Sequence, residues 1–213
     1  MIAKRSLASS NQQGFTIIEL MIALSVMAVI LVISTVVLIN LGVLYTKGNN
    51  QANTQNLTRN IVNELVSQLE LGSADPVVDS ANSVVCLGSQ RYTYRTGYQL
   101  NSANANDHAL WRDTMKSSAS CTPFNLANPA ADVTTVVGSG AELLLPQMQL
   151  VAFNIVTPPT TPLGTYSIQV TVAYGDPTLL VFSNGRPNCT GAKGTEYCAV
   201  ASLTQNVARR GIN

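Results

Sequence analysis

Gly14-Phe15-Thr16-Ile17-Ile18-Glu19-Leu20-Met21-Ile22-Ala23-Leu24 opens the stretch on which the fold turns. After Glu19 no charged residue occurs until Lys47, a run of 27 residues made mostly of Leu, Ile, Val, Met and Ala. As an α-helix this run would be about 40 Å long, enough to cross a hydrocarbon core of about 30 Å. A core helix of a soluble domain carries one apolar stripe, whereas this one is apolar all round. A secretory signal has an apolar region of only about 7–15 residues, followed by a small-x-small cleavage site. Here the apolar stretch runs from Phe15 to Ile39, and Leu41-Gly42-Val43-Leu44-Tyr45 offers no such site. No Cys precedes Cys86, which excludes a lipoprotein anchor. Lys4 and Arg5 are expected to keep the N-terminus cytoplasmic and to send residues beyond 46 outward.

Working outward, the 213 residues are 46% hydrophobic and only 11% charged, with a formal net charge of +1. Soluble domains run near 25% charged, so the deficit is large. Whole-chain disorder is excluded by the apolar content, and a polybasic nucleic-acid binder by the absence of any basic block. All 23 formal charges lie outside residues 20–46, yet the other 186 residues are still only about 12% charged. The remainder is therefore expected to be a charge-poor, Ser/Thr/Asn-rich extracytoplasmic domain.

Glu19 does not fit a plain anchor. A carboxylate at the edge of an apolar helix costs a few kcal/mol if it goes deep, and calls for a function and a partner. The segment Gln12-Gln13-Gly14-Phe15-Thr16-Ile17-Ile18-Glu19, with a short basic leader before it and an unbroken apolar helix after it, resembles the signal segment of type IV pilins. The match covers about 30 residues. The resemblance implies that a prepilin peptidase cuts between Gly14 and Phe15 on the cytoplasmic side and methylates the new N-terminal amine of Phe15. It also implies that Glu19, the fifth residue of the processed chain, pairs with such an amine on a neighbouring helix and sets the axial register of a filament. A glycine before the scissile bond leaves the backbone accessible to a protease. Removing 1–14 from 213 leaves 199 residues, and losing Lys4 and Arg5 leaves 10 basic against 11 acidic residues.

Leu57, Ile61, Leu65 and Leu69 recur every four residues, with Val62 and Val66 beside them and Arg59, Asn60, Asn63, Glu64, Ser67 and Gln68 opposite. This predicts an amphipathic helix that stops near Gly72 and Asp75-Pro76. Residues 46–56 are polar and expected to fray, with Gly42 and Gly48 as weak points. Residues 15–75 contain no proline, whereas major pilins usually carry one that kinks the apolar half. Beyond residue 73 the pattern is β: 84–87, 91–98, 109–115, 142–156 and 165–174, with 198–207 a strand or short helix. Loops are expected over 99–108, 116–132 and 183–197. The expected class is α+β: a long N-terminal helix packed against an antiparallel β-sheet head. The organisation reads as a leader over 1–14, a transmembrane or filament-core helix over 15–45, an amphipathic continuation over 46–72 and a β-rich head over 73–213. Tyr92-Thr93-Tyr94-Arg95, Leu110-Trp111-Arg112 and Val151-x-Phe153-x-Ile155 also resemble the heads of minor pilins and of a type II secretion pseudopilin.

All four cysteines follow the membrane segment, as suits an oxidising compartment. Three pairings are possible on the residues alone. Favoured are Cys189 with Cys198, in the place where pilin heads often carry a C-terminal disulfide loop, and Cys86 with Cys121. A metal site lacks C-x₂-C spacing and has one His to draw on. No nucleophile elbow, P-loop or glycine-rich phosphate signature occurs. His108, near Ser102 and Asp107, reads as a solvated loop residue. Asp75, Asp79, Asp107, Asp113, Asp132, Asp176, Glu142 and Glu196 are scattered. No catalytic residue, cofactor or metal is expected. Arg91, Arg95 and Arg112 beside Tyr92 or Tyr94 leave open a small nucleic-acid patch, against the plainer reading of tyrosines in the core and arginines in solvent. Arg209 and Arg210 read as an exposed end.

The expected function is a structural subunit of a type IV pilus or pseudopilus, with prepilin peptidase, other pilins and the pilus or secretion machinery as partners. It would be a single-pass membrane protein with its head outside, then part of a surface filament. The alternatives are a tip adhesin or DNA-capturing minor pilin, and a plain membrane-anchored surface protein.

Overall fold

The computed structural model of the chain describes residues 14–72, 74–100, 107–116, 120–126, 140–156, 164–183, 185–190 and 194–209. Two compact units divide it, Met1–Val43 and Leu44–Asn213. One helix, α1 (Ile17–Leu71), has residues in both.

In the first unit α1 is long and apolar enough to cross a membrane, and its large side chains are exposed throughout. Its few hydroxyls bond within the helix. Ser25 donates to the Ile22 carbonyl at 2.8 Å, Ser34 to Ile30 at 2.8 Å and Thr35 to Leu31 at 2.8 Å. Each hydroxyl proton therefore has an intrahelical acceptor and needs no water, the condition for placing such residues in lipid. Gly42 and Gly48 are both helical, so neither breaks the element.

In the second unit α1 buries Thr54, Thr58, Ile61, Val62, Leu65 and Leu69. The polar residues 46–56, expected to fray, are helical. Thr54 and Thr58 explain part of this. They extend the buried face upstream of the apolar stripe while donating to the carbonyls of Asn50 and Thr54, each at 2.8 Å. Asn50 and Gln51 also donate to the carbonyls of Glu196 and Val200. The helix ends at Leu71, before Gly72.

Among the described residues the antiparallel head comprises two larger sheets and a small hairpin. The first sheet is a meander of β1 (Val77–Asp79), β2 (Val84–Leu87), β3 (Gln90–Tyr94), β4 (Leu110–Thr114) and β5 (Ala141–Glu142), antiparallel and in chain order. The second places β7 (Thr165–Tyr174) between β6 (Met148–Val156) and β10 (Ala199–Ala208), again antiparallel. β8 (Leu180–Ser183) pairs with β9 (Arg186–Cys189), and β9 falls in the 183–197 stretch read as loop, where Pro187 and Asn188 disguise a strand. The stretch 198–207, left open between strand and short helix, resolves as strand over Ala199–Ala208. Long β6 and β7 explain why: β7 presents a register partner to every residue of β10.

One core joins the three elements of this unit. Ile61, Val62, Leu65 and Leu69 of α1 meet Val85, Leu87, Tyr92, Tyr94 and Leu110 of the first sheet. Leu150, Phe153, Ile155, Ile168, Val170 and Val172 of the second complete it. Phe153 is the pivot, its ring centroid 4.9 Å from Tyr94 and 6.4 Å from Tyr92. The fold is α+β: an apolar N-terminal helix packed, through its second part, on antiparallel sheets.

Candidate functional site: the N-terminal processing segment

Gly14, Phe15 and Thr16 precede the helix and are not helical. A side chain at Gly14 would meet nothing within 4 Å, and Phe15 is 86% exposed. Both flanks of the Gly14-Phe15 bond are thus open. Helix α1 then begins abruptly, for a local reason. Glu19 accepts hydrogen bonds from the Thr16 amide at 3.1 Å and the Thr16 hydroxyl at 2.9 Å, while its own amide donates to the Thr16 hydroxyl oxygen at 3.3 Å. The Leu20 amide closes the first turn onto the Thr16 carbonyl at 3.2 Å. This is a reciprocal capping box, with Thr16 at the N-cap and Glu19 three residues on. The Glu19 carboxylate also sits at the positive end of the helix dipole. Sequence reading named Glu19 and passed over Thr16, although Thr-x-x-Glu before an apolar run is the written form of the motif.

The other candidates fall elsewhere. Cys86 is bonded to Cys121 and Cys189 to Cys198, with Cα separations of 6.0 and 5.9 Å. The first bond ties β2 to residues 120–126, where the Phe124 ring stacks on Trp111 at 5.2 Å and the Phe124 amide donates to the Thr93 hydroxyl oxygen at 2.8 Å. The second closes a loop near the C-terminus.

The arginines do not gather into a patch. Arg91, expected in solvent, is fully buried and meets Asp113 in two hydrogen bonds of 2.9 and 2.8 Å. The two residues are register partners on β3 and β4, so a pattern that alternates on one strand cannot reveal the ion pair. Arg95 lies 3.9 Å over the Tyr98 ring and 3.5 Å from Asp107. Arg112 pairs with Glu64 of α1 at 3.0 Å. All three face carboxylates, which removes the reason to expect phosphate there. Arg209 is also not a free end. It donates to the Gly72 carbonyl and pairs with Asp75, which accepts from Tyr166 as well. Arg210 lies outside the described residues.

His108 is buried rather than solvated, its ring centroid 4.1 Å from Trp111 and its Nδ1 3.5 Å from Glu142. Glu142 meanwhile accepts from the amides of Ala109, Leu110 and Leu144 and so acts as a turn organiser. Hydrogen bonds from Asn82 hold Asp79 below the usual carboxylate range, and those from Thr178 do the same for Asp176. Among the described residues no three His, Cys, Asp or Glu side chains gather where a metal ion would fit. Ser102 and Asp132 lie outside the described residues.

Residues 9–35 match a family model described as the prokaryotic N-terminal methylation motif. No curated protein and no solved structure matches the chain. The matched span contains Gly14, Phe15, Thr16, Glu19 and the first part of the apolar helix, which are the residues whose geometry sets this segment apart. With its non-helical Gly14-Phe15 junction, its capped start and a helix fit for a membrane, this N-terminal segment is similar to that of type IV pilin-like prepilins.

Proposed function

We propose that the protein is a structural and assembly subunit of a type IV pilus or pseudopilus. In this reading a prepilin peptidase cleaves between Gly14 and Phe15, and the Phe15 amine is methylated. The processed chain waits in the membrane with its disulfide-bonded head on the extracytoplasmic side. It then leaves lipid by bundling the apolar part of α1 with the same helices of other subunits. Glu19 accepts the Phe15 amine of a neighbour, exchanging a carboxylate that lipid disfavours for an ion pair. Leader, membrane and filament-core segment, amphipathic continuation and head correspond to 1–14, 15–45, 46–72 and 73–213. The single observation that carries the reading is the methylation motif over 9–35, set on an exposed, non-helical junction.

Minor-pilin and secretion-pseudopilin roles both fit, and the lack of a proline in 15–75 sets the chain apart from the major-pilin pattern. DNA capture loses support from the carboxylate-paired arginines. The test is co-expression of the full chain with and without a prepilin peptidase, read by intact mass. The expected result is loss of residues 1–14 and one methyl group on Phe15. An unchanged mass would overturn the proposal in favour of a plain membrane anchor. A large residue at Gly14 should abolish the shift.

A further inference from the structure

A cleft of about 850 Å³ opens on the head, where the end of β7 meets the Cys189–Cys198 loop. Its walls include Tyr98, Gln99, Gln147, Tyr174, Asp176 and Tyr197. Three of the seven tyrosines of the chain converge here, with two amides and one carboxylate. The volume lies in the range of small-molecule sites, about 300–1,000 Å³.

The cleft is built, not accidental. Gln99 donates to the carbonyls of Gly175 at 2.9 Å and Gln147 at 3.3 Å, lacing its floor. Tyr174 donates to the Gln147 side chain at 3.0 Å. Gln147 is held at φ 65, a left-handed conformation that a glutamine rarely adopts. Gly175, at φ 102, brings the Tyr197 carbonyl so close that a Cβ there would sit 2.0 Å from it. The Tyr197 wall is a 3₁₀ turn over Thr195–Tyr197, pinned by the adjacent disulfide and by Asn50 on α1, which donates to the Glu196 carbonyl at 3.1 Å. Yet Tyr197 itself is 57% exposed and Tyr98 37%.

The chemistry of the walls selects the ligand. Among the described residues no Lys or Arg lines the cleft and Asp176 places a carboxylate in its wall, which favours a neutral ligand over a phosphate or carboxylate. A purely apolar ligand would strip water from the amides and phenols without replacing it. The main-chain groups at the floor already bond one another: Gly175 to Gln147, Gln147 to Leu100, and Leu100 to Met148. An extended peptide, which is captured through main-chain bonds, thus has little to pair with. What remains is flat phenol surface with polar side chains in a ring, suited to a compact neutral molecule with apolar C–H faces and a rim of hydroxyls. We infer that this cleft is a binding site for a neutral saccharide, stacked on Tyr197 and held through Gln147 and Asp176. Asp176 serves as an acceptor: one of its oxygens takes both bonds from Thr178 at 2.8 Å, and the other has no protein partner among the described residues.

The test uses the full chain in a zwitterionic, sugar-free detergent, titrated by calorimetry and saturation-transfer NMR. The neutral probes are maltotriose, N-acetylglucosamine trimer and lactose. A sulfated disaccharide and a neutral tetrapeptide serve as comparators. At least one neutral sugar should bind saturably at or below millimolar Kd. Tyr197→Ala should weaken that sugar at least tenfold. Gln147→Asn, which tolerates the left-handed backbone but retracts the amide, should also weaken it. Phe182→Ala, on the β8–β9 hairpin and outside the cleft, should leave it unchanged. The inference is overturned by no saturable binding at about 10 mM, well above a millimolar Kd. It is equally overturned by binding that Tyr197→Ala does not alter, or by binding of the peptide or sulfated probe alone. Sugar binding and leader cleavage are measured separately, so either can fail without the other.

Discussion

Glu19 has one role in the single chain and, in the proposed assembly, a second. In the single chain its carboxylate completes the capping box with Thr16, so the charge has hydrogen-bond donors before any neighbour arrives. Capping interactions of this type contribute about 0.5–2 kcal/mol. Glu19→Ala removes both the cap and the proposed intermolecular partner. Membrane insertion, driven by residues 20–46, should persist, while incorporation into filaments should fall severalfold. Fractionation and immunoblotting of sheared filaments check this, and normal incorporation would refute the pairing role. Thr16→Val separates the roles, because it loses the hydroxyl of the cap and keeps the carboxylate.

Tyr92 offers a second residue-scale test. Burial first, then the Glu64 carboxylate that accepts its hydroxyl at 2.9 Å, push its ionisation far above the ordinary value near 10. Tyr94 and Tyr166 are raised too, chiefly by burial. A group whose folded pKa is raised contributes stability that is present below its unfolded pKa and lost as pH rises past it. Thermal stability of the head should therefore stay level up to about pH 9 and fall above about pH 10, where the unfolded chain releases phenol protons first. A melting series between these limits checks it, and Tyr92→Phe should flatten the fall.

At the scale of elements, the β3–β4 pair carries the largest electrostatic liability. Arg91 and Asp113 are both fully desolvated, and such a pair adds little net stability over apolar residues of similar volume. Removing one partner is different. Asp113→Ala leaves the buried guanidinium without its carboxylate and should cost about 3–5 kcal/mol. Arg91 also donates to the Thr122 carbonyl, so the same change should loosen residues 120–126. Replacing both residues by Met and Leu should recover much of the loss, as chemical denaturation will read. On α1, Leu65 is fully buried between the two sheets, and Leu65→Ala should cost about 2–5 kcal/mol.

At the scale of the whole molecule, the two disulfides close loops of different size, with sequence separations of 35 and 9. Loop-closure entropy assigns about 3.8 kcal/mol to Cys86–Cys121 and about 2.7 kcal/mol to Cys189–Cys198. The Cys86→Ser/Cys121→Ser variant should accordingly melt lower than the Cys189→Ser/Cys198→Ser variant.

What the sequence alone determined is whatever depends on neighbours along the chain. The membrane-fit helix follows from an unbroken apolar run. The Gly14 junction and Glu19 follow from a local motif. The buried face of α1 and β7 follow from periodicity, and β2, β3 and β4 from strand-forming composition, while the 142–156 stretch read as one strand divides into β5 and β6 and the 91–98 strand ends at Tyr94. Tertiary structure decided what depends on partners distant in sequence. It split the head into two sheets, buried Arg91 by placing Asp113 across from it, and drew His108 under Trp111. It also gathered Tyr98, Gln147, Tyr174 and Tyr197 around one cleft. The physical reason is that hydrophobic periodicity reports which side of an element is dry, whereas a polar residue's fate is set by whether a complementary group awaits it. That group, 22 residues away for Arg91, is supplied only when the strands pair.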